Sequence, residues 1–139
     1  ASGLPARLHP ISTRYQKDTP LMTSKPLPPP LSPTREAAGL LFISGQLPRG
    51  DDGKMVAGGI TEQASRAIDN LAAVLARHDM TLDDVVKTTV WLTDAALAGE
   101  FNAVYRARFA EPFPTRSTVV SGLLAGDALI EIEAIAHKG

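Results

Sequence analysis

Hydrophobic and polar positions alternate with a period of two near the end of the chain, over residues 128–136. Because the side chains of a strand point alternately to its two faces, this pattern predicts a β-strand. One predicted face is wholly apolar. The other carries two carboxylates among aliphatic side chains: Leu129, Glu131, Glu133, Ile135 and His137. Such a face indicates a partly covered site or a subunit interface.

Two further strands are predicted from their apolar and β-branched content. The run over residues 39–46 predicts a buried strand, in which Gly45 permits a bulge or a close backbone approach. The Asp-Gly pair at residues 52–53 predicts a hairpin turn after it. The run over residues 83–93 predicts a strand with Val86 and Thr88 on one face and Lys87 on the other.

Apolar positions recur every three to four residues over 60–79 and over 97–109, which predicts two amphipathic helices. Prolines follow the second helix, and residues 115–120 then read as a strand that pairs with the final one across a Gly-bounded turn. We therefore expect an α+β fold with one mixed β-sheet and two helices on one face.

Two domain assignments follow from the distribution of prolines and periodic segments. Residues 1–25 are expected to be an irregular N-terminal arm or leader, and residues 26–139 the folded domain. The sheet face without helices carries Trp91 and Ile135 beside charged side chains. Because such a surface is too apolar to remain in water, we expect self-association to bury it.

Composition excludes several classes of function. The chain has 139 residues, 44% hydrophobic and 21% charged, and a net charge of -1, with no basic stripe for nucleic acid. It has no cysteine, and its three histidines lie too far apart in sequence to suggest a metal site. No apolar run approaches the roughly 20 residues of a membrane helix. Neither a nucleic-acid nor a membrane partner is expected.

Arg116 and Glu131 are the candidate functional pair, because they fall on two predicted strands that we expect to be neighbours. Two interpretations remain open at this point. The pair forms an interface salt bridge, as charged residues do in some oligomers. Alternatively, the pair binds and processes a small molecule.

Five segments resemble a known family in collinear order: Ile43–Pro48, Asp83–Val90, Phe101–Tyr105, Phe113–Ser117 and Ile130–Ala136. Together they span about residues 26–138 and are similar to the RidA/YjgF family of imine/enamine deaminases. The arginine segment and the acidic final strand are the specific parts of this resemblance.

The resemblance implies a chorismate-mutase-like fold in a homotrimer, whose sheets pack into a central barrel with sites between subunits. It implies hydrolysis of reactive 2-imino or enamino acids to 2-keto acids and ammonia, as in a 2-iminobutanoate/2-iminopropanoate deaminase. It also implies that no cofactor or metal takes part. The small 2-imino or 2-keto acid and two further copies of the chain are the expected partners, and a cytoplasmic location is expected.

The resemblance also implies roles for individual residues. Arg116 is expected to bind the substrate carboxylate through its planar fork, and Glu131 to hold water and accept its proton. Further substrate contacts are expected from Ser44, Gly45 and Thr118, with support from Asn102 and from Leu31.

Two of these positions depart from the family pattern. Leu31 stands where active members often have a tyrosine, and Thr118 stands where they often have a cysteine. These departures favour larger or apolar substrates, or a non-catalytic trimer that binds small carboxylic acids. RNA cleavage, a role also attached to the family, is disfavoured by the near-neutral charge and by an aromatic content of 5%.

Overall fold

The structure, a computed structural model, describes residues 26–139. Ser32–Gly139 forms one compact unit, and residues 26–31 belong to a separate unit. The arm expected over residues 1–25 lies outside the described residues.

The compact unit contains five strands and two α-helices in mixed order. Their bounds are β1 (Thr34–Ala37), β2 (Leu40–Gln46), α1 (Ile60–Ala76), β3 (Val85–Leu92), α2 (Ala98–Arg108), β4 (Thr115–Val120) and β5 (Ile130–His137). The strands form one sheet in the order β1-β2-β5-β3-β4. All neighbours are antiparallel except β3 and β4, which are parallel. The predicted mixed sheet with two helices is confirmed.

Strand β5 lies at the centre of the sheet, and its alternation is confirmed. Ile130, Ile132, Ala134 and Ala136 are buried, whereas the residues between them are only half-buried. The buried face packs under α1 and α2, which contribute large apolar side chains to the same core: Ile60, Ile68, Leu71, Leu75, Phe101 and Tyr105. The helices thus cover one face of the sheet, and no helix from residues 26–139 lies on the other face, which we call the open face.

Helix α1 begins one residue after Gly59, whose backbone N–H donates to Glu62 Oε1 at 2.8 Å. This contact satisfies a donor that the first helical turn leaves without a partner, and it places a carboxylate at the positive end of the helix. The helix ends at Ala76, three residues before the predicted end, because residues 77–79 form a turn in which Asp79 has a φ of 57°.

The N-terminal hairpin differs from the predicted one. Strands β1 and β2 form it around Ala38 and Gly39, whose φ angles of 53° and 78° are those of a tight hairpin turn. The Asp-Gly turn at residues 52–53 is followed by no second strand and lies inside an isolated bridge between Arg49 and Met55. Ala-Gly is a weak turn signal, which explains why sequence reasoning missed β1.

The prediction of a C-terminal hairpin between residues 115–120 and the final strand is also wrong. Strand β4 lies at the edge of the sheet and pairs with β3, which separates it from β5. Helix α2 is the crossover that makes β3 and β4 parallel, as parallel neighbours require. Residues 121–129 then carry the chain past β3, so β4 and β5 are not neighbours.

Strand β3 carries a bulge near its start, where its register with β5 shifts between Val85 and Lys87. Val85 is consequently buried and Val86 exposed. The expectation that Val86 shares a face with the buried Thr88 is therefore wrong, because the bulge adds one residue to the alternation.

Candidate active site

Arg116 lies on the helix-bearing face of the sheet. It pairs with Thr88 of β3, which is fully buried beneath the helices, and paired strand residues point to the same face. Its Nη2 donates to Asn102 Oδ1 of α2 at 2.8 Å. Asn102 was expected to support the site, and its amide contacts the guanidinium directly.

Two aromatic rings of α2 hold the guanidinium from one side. Arg116 Cζ lies 4.7 Å from the ring centre of Tyr105 and 5.2 Å from that of Phe101. Such cation–π contacts are worth about 0.5–2 kcal/mol each, depending on solvent exposure. Together with the hydrogen bond to Asn102 they restrict the orientation of the guanidinium, whose plane a bidentate carboxylate must match.

The hydroxyl of Tyr105 is anchored in the core by a hydrogen bond of 2.8 Å with Thr88 Oγ1. Burial raises the pKa of Tyr105 above its ordinary value, and the bond to Thr88 and the charge of Arg116 only partly oppose this. The phenol is therefore neutral at physiological pH and leaves the charge of Arg116 intact. None of the ion pairs formed among residues 26–139 involves Arg116.

A cleft of about 210 Å³ opens beside the guanidinium. Its lining comes from α2, β4 and the segment between them: Asn102, Tyr105, Arg106, Phe113, Pro114 and Arg116. Pockets for drug-sized ligands measure roughly 300–1,000 Å³, so this cleft suits a small acid. None of the residues in 26–139 that line it is an aspartate or a glutamate.

Glu131 lies on the open face, where it pairs with Trp91 of β3. Its carboxylate lies against the backbone of Gly45, since a Cβ atom on Gly45 would come within 2.9 Å of Glu131 Cδ. The predicted close approach is present, and β2 also changes register between Ile43 and Gln46, as the predicted bulge requires. A side chain at position 45 would displace the carboxylate of Glu131 from this place, so glycine permits the close approach.

Two causes raise the pKa of the Glu131 carboxyl above its ordinary value: burial first, and then the charge of Glu133 on the same face. A carboxylate with a raised pKa is a better proton acceptor near neutral pH. It borders a cleft of about 300 Å³ that Trp91 and residues 121–124 also line.

The structure divides the predicted site residues between the two faces. Thr118 pairs with the buried Val90 and so shares the helix-bearing face with Arg116, although it is exposed. Ser44 lies at the start of the β2 bulge. Its hydroxyl donates to Ser32 O at 2.6 Å, so the proton of this hydroxyl is already used in a hydrogen bond within the chain.

Leu31 belongs to the separate unit and is 64% exposed. Its role stays a prediction.

Arg116 and Glu131 do not meet within one chain. The expectation that they lie on neighbouring strands is wrong, because β3 lies between them and they point to opposite faces of the sheet. Sequence reasoning placed residues 97–109 in an amphipathic helix and gave Tyr105 and Phe101 no part in the site. Their spacing of four residues does place them on one helix face, but only the parallel pairing of β4 brings Arg116 over them.

An open, mixed sheet with two helices on one face and an arginine–asparagine cleft defines an α+β protein suited to binding small acids. The family model described as Endoribonuclease L-PSP matches residues 26–138. The chain belongs to this family, the RidA/YjgF family, and the predicted resemblance is confirmed.

Similar proteins come from distant organisms. RutC family protein UK114 of Drosophila melanogaster is 42% identical over 114 residues, which cover 79% of this chain and 83% of that protein. The yeast protein MMF1, named as mitochondrial, is 36% identical over 122 residues, covering 85% and 83%. The crystal structure of RidA from an Antarctic Psychrobacter species superposes with a TM-score of 0.75 at 29% identity, covering 81% of this chain and 92% of that one.

Two further observations concern residues 26–139 only. No helix in this part of the chain is both long and apolar enough to cross a membrane. Across the same residues, histidine, aspartate and glutamate side chains form no cluster of three or more that could hold a metal ion.

Proposed function

We propose that the protein hydrolyses reactive 2-imino or enamino acids to 2-keto acids and ammonia. The observation that carries this proposal is the guanidinium of Arg116, which is held by Asn102 and two aromatic rings, has no ion-pair partner among the described residues and has an open cleft beside it. Membership of the RidA/YjgF family supports the reaction class.

The chemistry requires three functions from the protein. Arg116 binds the substrate carboxylate through two parallel N–H···O bonds, which orients the adjacent C=N carbon. Glu131 accepts a proton from a water molecule as that water attacks the carbon, which gives a tetrahedral amino alcohol. The proton then passes from Glu131 to the nitrogen, and as the C–N bond breaks and ammonia leaves, the hydroxyl group gives its proton to Glu131 and becomes the C=O of the keto acid. Backbone groups at Gly45 and Thr118 are proposed to contact the substrate.

The site is proposed to lie between two copies of the chain in a homotrimer. Arg116 and Glu131 point to opposite faces of one sheet, so a single chain cannot offer both to one small molecule. Because β4 is an edge strand, a neighbouring copy that presents its own open face to that edge would bring its Glu131 towards Arg116. The partly exposed apolar side chains of that face, among them Phe42 and Val119, support such packing.

A second candidate function is binding without turnover. The cleft of Arg116 is complete within one chain as a carboxylate site, and it has no proton acceptor of its own. A trimer that only binds small acids would need no more than this. The description of the family as an endoribonuclease also raises RNA cleavage, but a net charge of -1 offers little attraction to a phosphate backbone.

An assay with an imino acid made in situ by an amino-acid oxidase tests the proposal. We expect the wild-type protein to accelerate keto-acid formation over buffer, and Arg116→Ala to lose at least about 100-fold in kcat/KM, since it removes a charge-assisted bidentate bond. Arg77 is an exposed arginine just after α1, and Arg77→Ala is the control that should keep the wild-type kcat/KM.

The outcomes separate the two candidates. If no imino acid is hydrolysed faster than in buffer while 2-keto acids still bind to Arg116, the binding function replaces the enzymatic one. The expected cytoplasmic location also stays a proposal, since one relative carries a mitochondrial name.

A further inference from the structure

A second arginine lines the cleft of Arg116. Arg106, in the last turn of α2, borders the same space, and its Cζ lies 5.5 Å from the ring centre of Phe113 on the cleft wall. This stacking holds the side chain along the wall of the cleft, with a second planar fork available to a ligand.

The neighbouring arginine of the same helical turn behaves differently. Arg108 forms an ion pair with Asp69 at 2.8 Å and donates to Ser65 O at 3.2 Å, so its charge joins α2 to α1. Arg106 takes part in no ion pair formed among residues 26–139. A favourable interaction with the C-terminal end of the helix accounts for a cation in this turn, but it does not require stacking into the cleft.

The charge of the cleft is therefore unbalanced. Two guanidinium groups border it, the part of its lining that the structure describes contains no aspartate or glutamate, and the amide oxygen of Asn102 is the polar partner of Arg116. A ligand with one carboxylate would neutralise only one of the two cations. A ligand with two acidic groups would neutralise both.

We infer that the cleft selects substrates with a second acidic group, namely 2-imino dicarboxylic acids and the 2-keto dicarboxylic acids formed from them. Arg116 binds the carboxylate next to the reacting carbon, and Arg106 binds the distal one. This inference rests on the proposed function and names the substrate class of the same site. Arg106 acts as the specificity-determining residue and takes no part in proton transfer.

Binding of a matched pair of keto acids tests the inference without requiring turnover. 2-Oxopentanedioate and 2-oxopentanoate have the same carbon chain and differ in the distal carboxylate. By isothermal titration we expect the wild-type protein to bind the diacid about tenfold more tightly at low salt, since one added charge-assisted bond contributes on that scale. The ratio should shrink as ionic strength rises, because the cleft is open to solvent.

Two variants locate the effect. Arg106→Gln should bring the ratio of the two dissociation constants close to one, whereas Arg77→Gln, with an exposed arginine outside the cleft, should leave it at the wild-type value. A wild-type ratio near one would overturn the inference, and so would a preference for the diacid that persists in Arg106→Gln.

Turnover then separates this inference from the proposed function. If imines of monocarboxylic keto acids are hydrolysed but neither binding nor rate favours the diacid, the function holds and the inference fails. If the diacid binds preferentially through Arg106 and no imine is hydrolysed, the selectivity holds and the enzymatic function fails.

Discussion

At the scale of single residues, two neighbours act on different properties of the Glu131 carboxylate: one on its position and the other on its pKa. Gly45 has no side chain, which leaves room for the carboxylate against the backbone of β2. Glu133, two positions along β5, adds a like charge on the same face and helps to raise the pKa of Glu131. Placement and proton affinity are thus controlled from different strands.

The acid side of the pH–rate profile should report this coupling. Glu131 must be ionised to accept a proton, so the rate should fall as the pH drops through its raised pKa. Glu133→Gln removes the like charge, which should lower the pKa of Glu131 and move this limb to lower pH. Burial is the larger cause, so the limb should stay above the range of an ordinary glutamate.

The pH dependence of kcat/KM measures this shift. Glu36→Gln is the control. It changes an exposed carboxylate of β1 that pairs with His78, and it should leave the acid limb of the profile in place. If the acid limb does not move in Glu133→Gln, the charge of Glu133 does not influence the pKa of Glu131.

At the scale of elements, Gln63 connects α1 to the segment that ends in β5. Its side chain is 4% exposed, its Nε2 donates to Asp127 O at 3.0 Å, and its Oε1 accepts from Leu129 N at 2.7 Å. Residues 121–124 of the same segment line the cleft of Glu131. One buried amide thus anchors the end of the segment whose first residues line a cleft on the opposite face of the sheet.

Replacing this amide should loosen the segment. Gln63→Leu leaves the Leu129 N–H and the Asp127 carbonyl without their partners, at a cost of about 1–3 kcal/mol in the free energy of unfolding. Hydrogen exchange at the Leu129 amide should accelerate more than at amides of β3. Ser65→Ala, on the same helix, should change neither quantity, and an unchanged Leu129 exchange rate in Gln63→Leu would contradict the role of Gln63.

The sequence predicted those elements whose period is regular. The alternation of β5 and the helical spacing of α1 each follow from one face packed against the core, so both could be read locally. The bulge at Val86 and the position of β4 could not be read in this way. A bulge shifts the alternation by one residue, and the edge on which β4 pairs is decided by long-range contacts with β3.

The same distinction applies to the candidate site. Arg116 and Glu131 were identified because strong polar groups stand out within apolar strands. Their separation by the sheet could not be predicted, since it depends on which strands are neighbours. The aromatic contact of Tyr105 with Arg116 likewise depends on the pairing of β4 with β3, which no local pattern encodes.

At the scale of the whole molecule, the open face carries exposed apolar side chains, and this favours association with a partner that covers them. Phe42 and Val119 are each 41% exposed there, and the half-buried Trp91 and Ile135 lie between them on the central strands. Packing of further copies against this face would bury those side chains. The arrangement of the copies also decides whether Arg116 of one copy and Glu131 of another can act on the same substrate molecule.

Mixing two inactive variants tests this arrangement directly. Arg116→Ala and Glu131→Gln should each lack turnover, because every site loses one of its two groups. If each site takes Arg116 from one copy and Glu131 from the next, mixed trimers contain some sites with both groups intact. Random exchange of equal amounts should restore about a quarter of the sites, since each position is intact with a probability of about one half.

The measurement is imine hydrolysis after the mixed variants have been dissociated and reassembled, with light scattering to establish an assembly near three times 14.7 kDa. Each variant carried through the same treatment alone should stay inactive, which excludes recovery by refolding. The double variant, which carries both Arg116→Ala and Glu131→Gln, should also stay inactive when it is mixed with Arg116→Ala, because no copy then has Arg116. Exchange without recovered turnover would mean that the two groups do not meet across an interface, and the proposed catalytic site would fail with it.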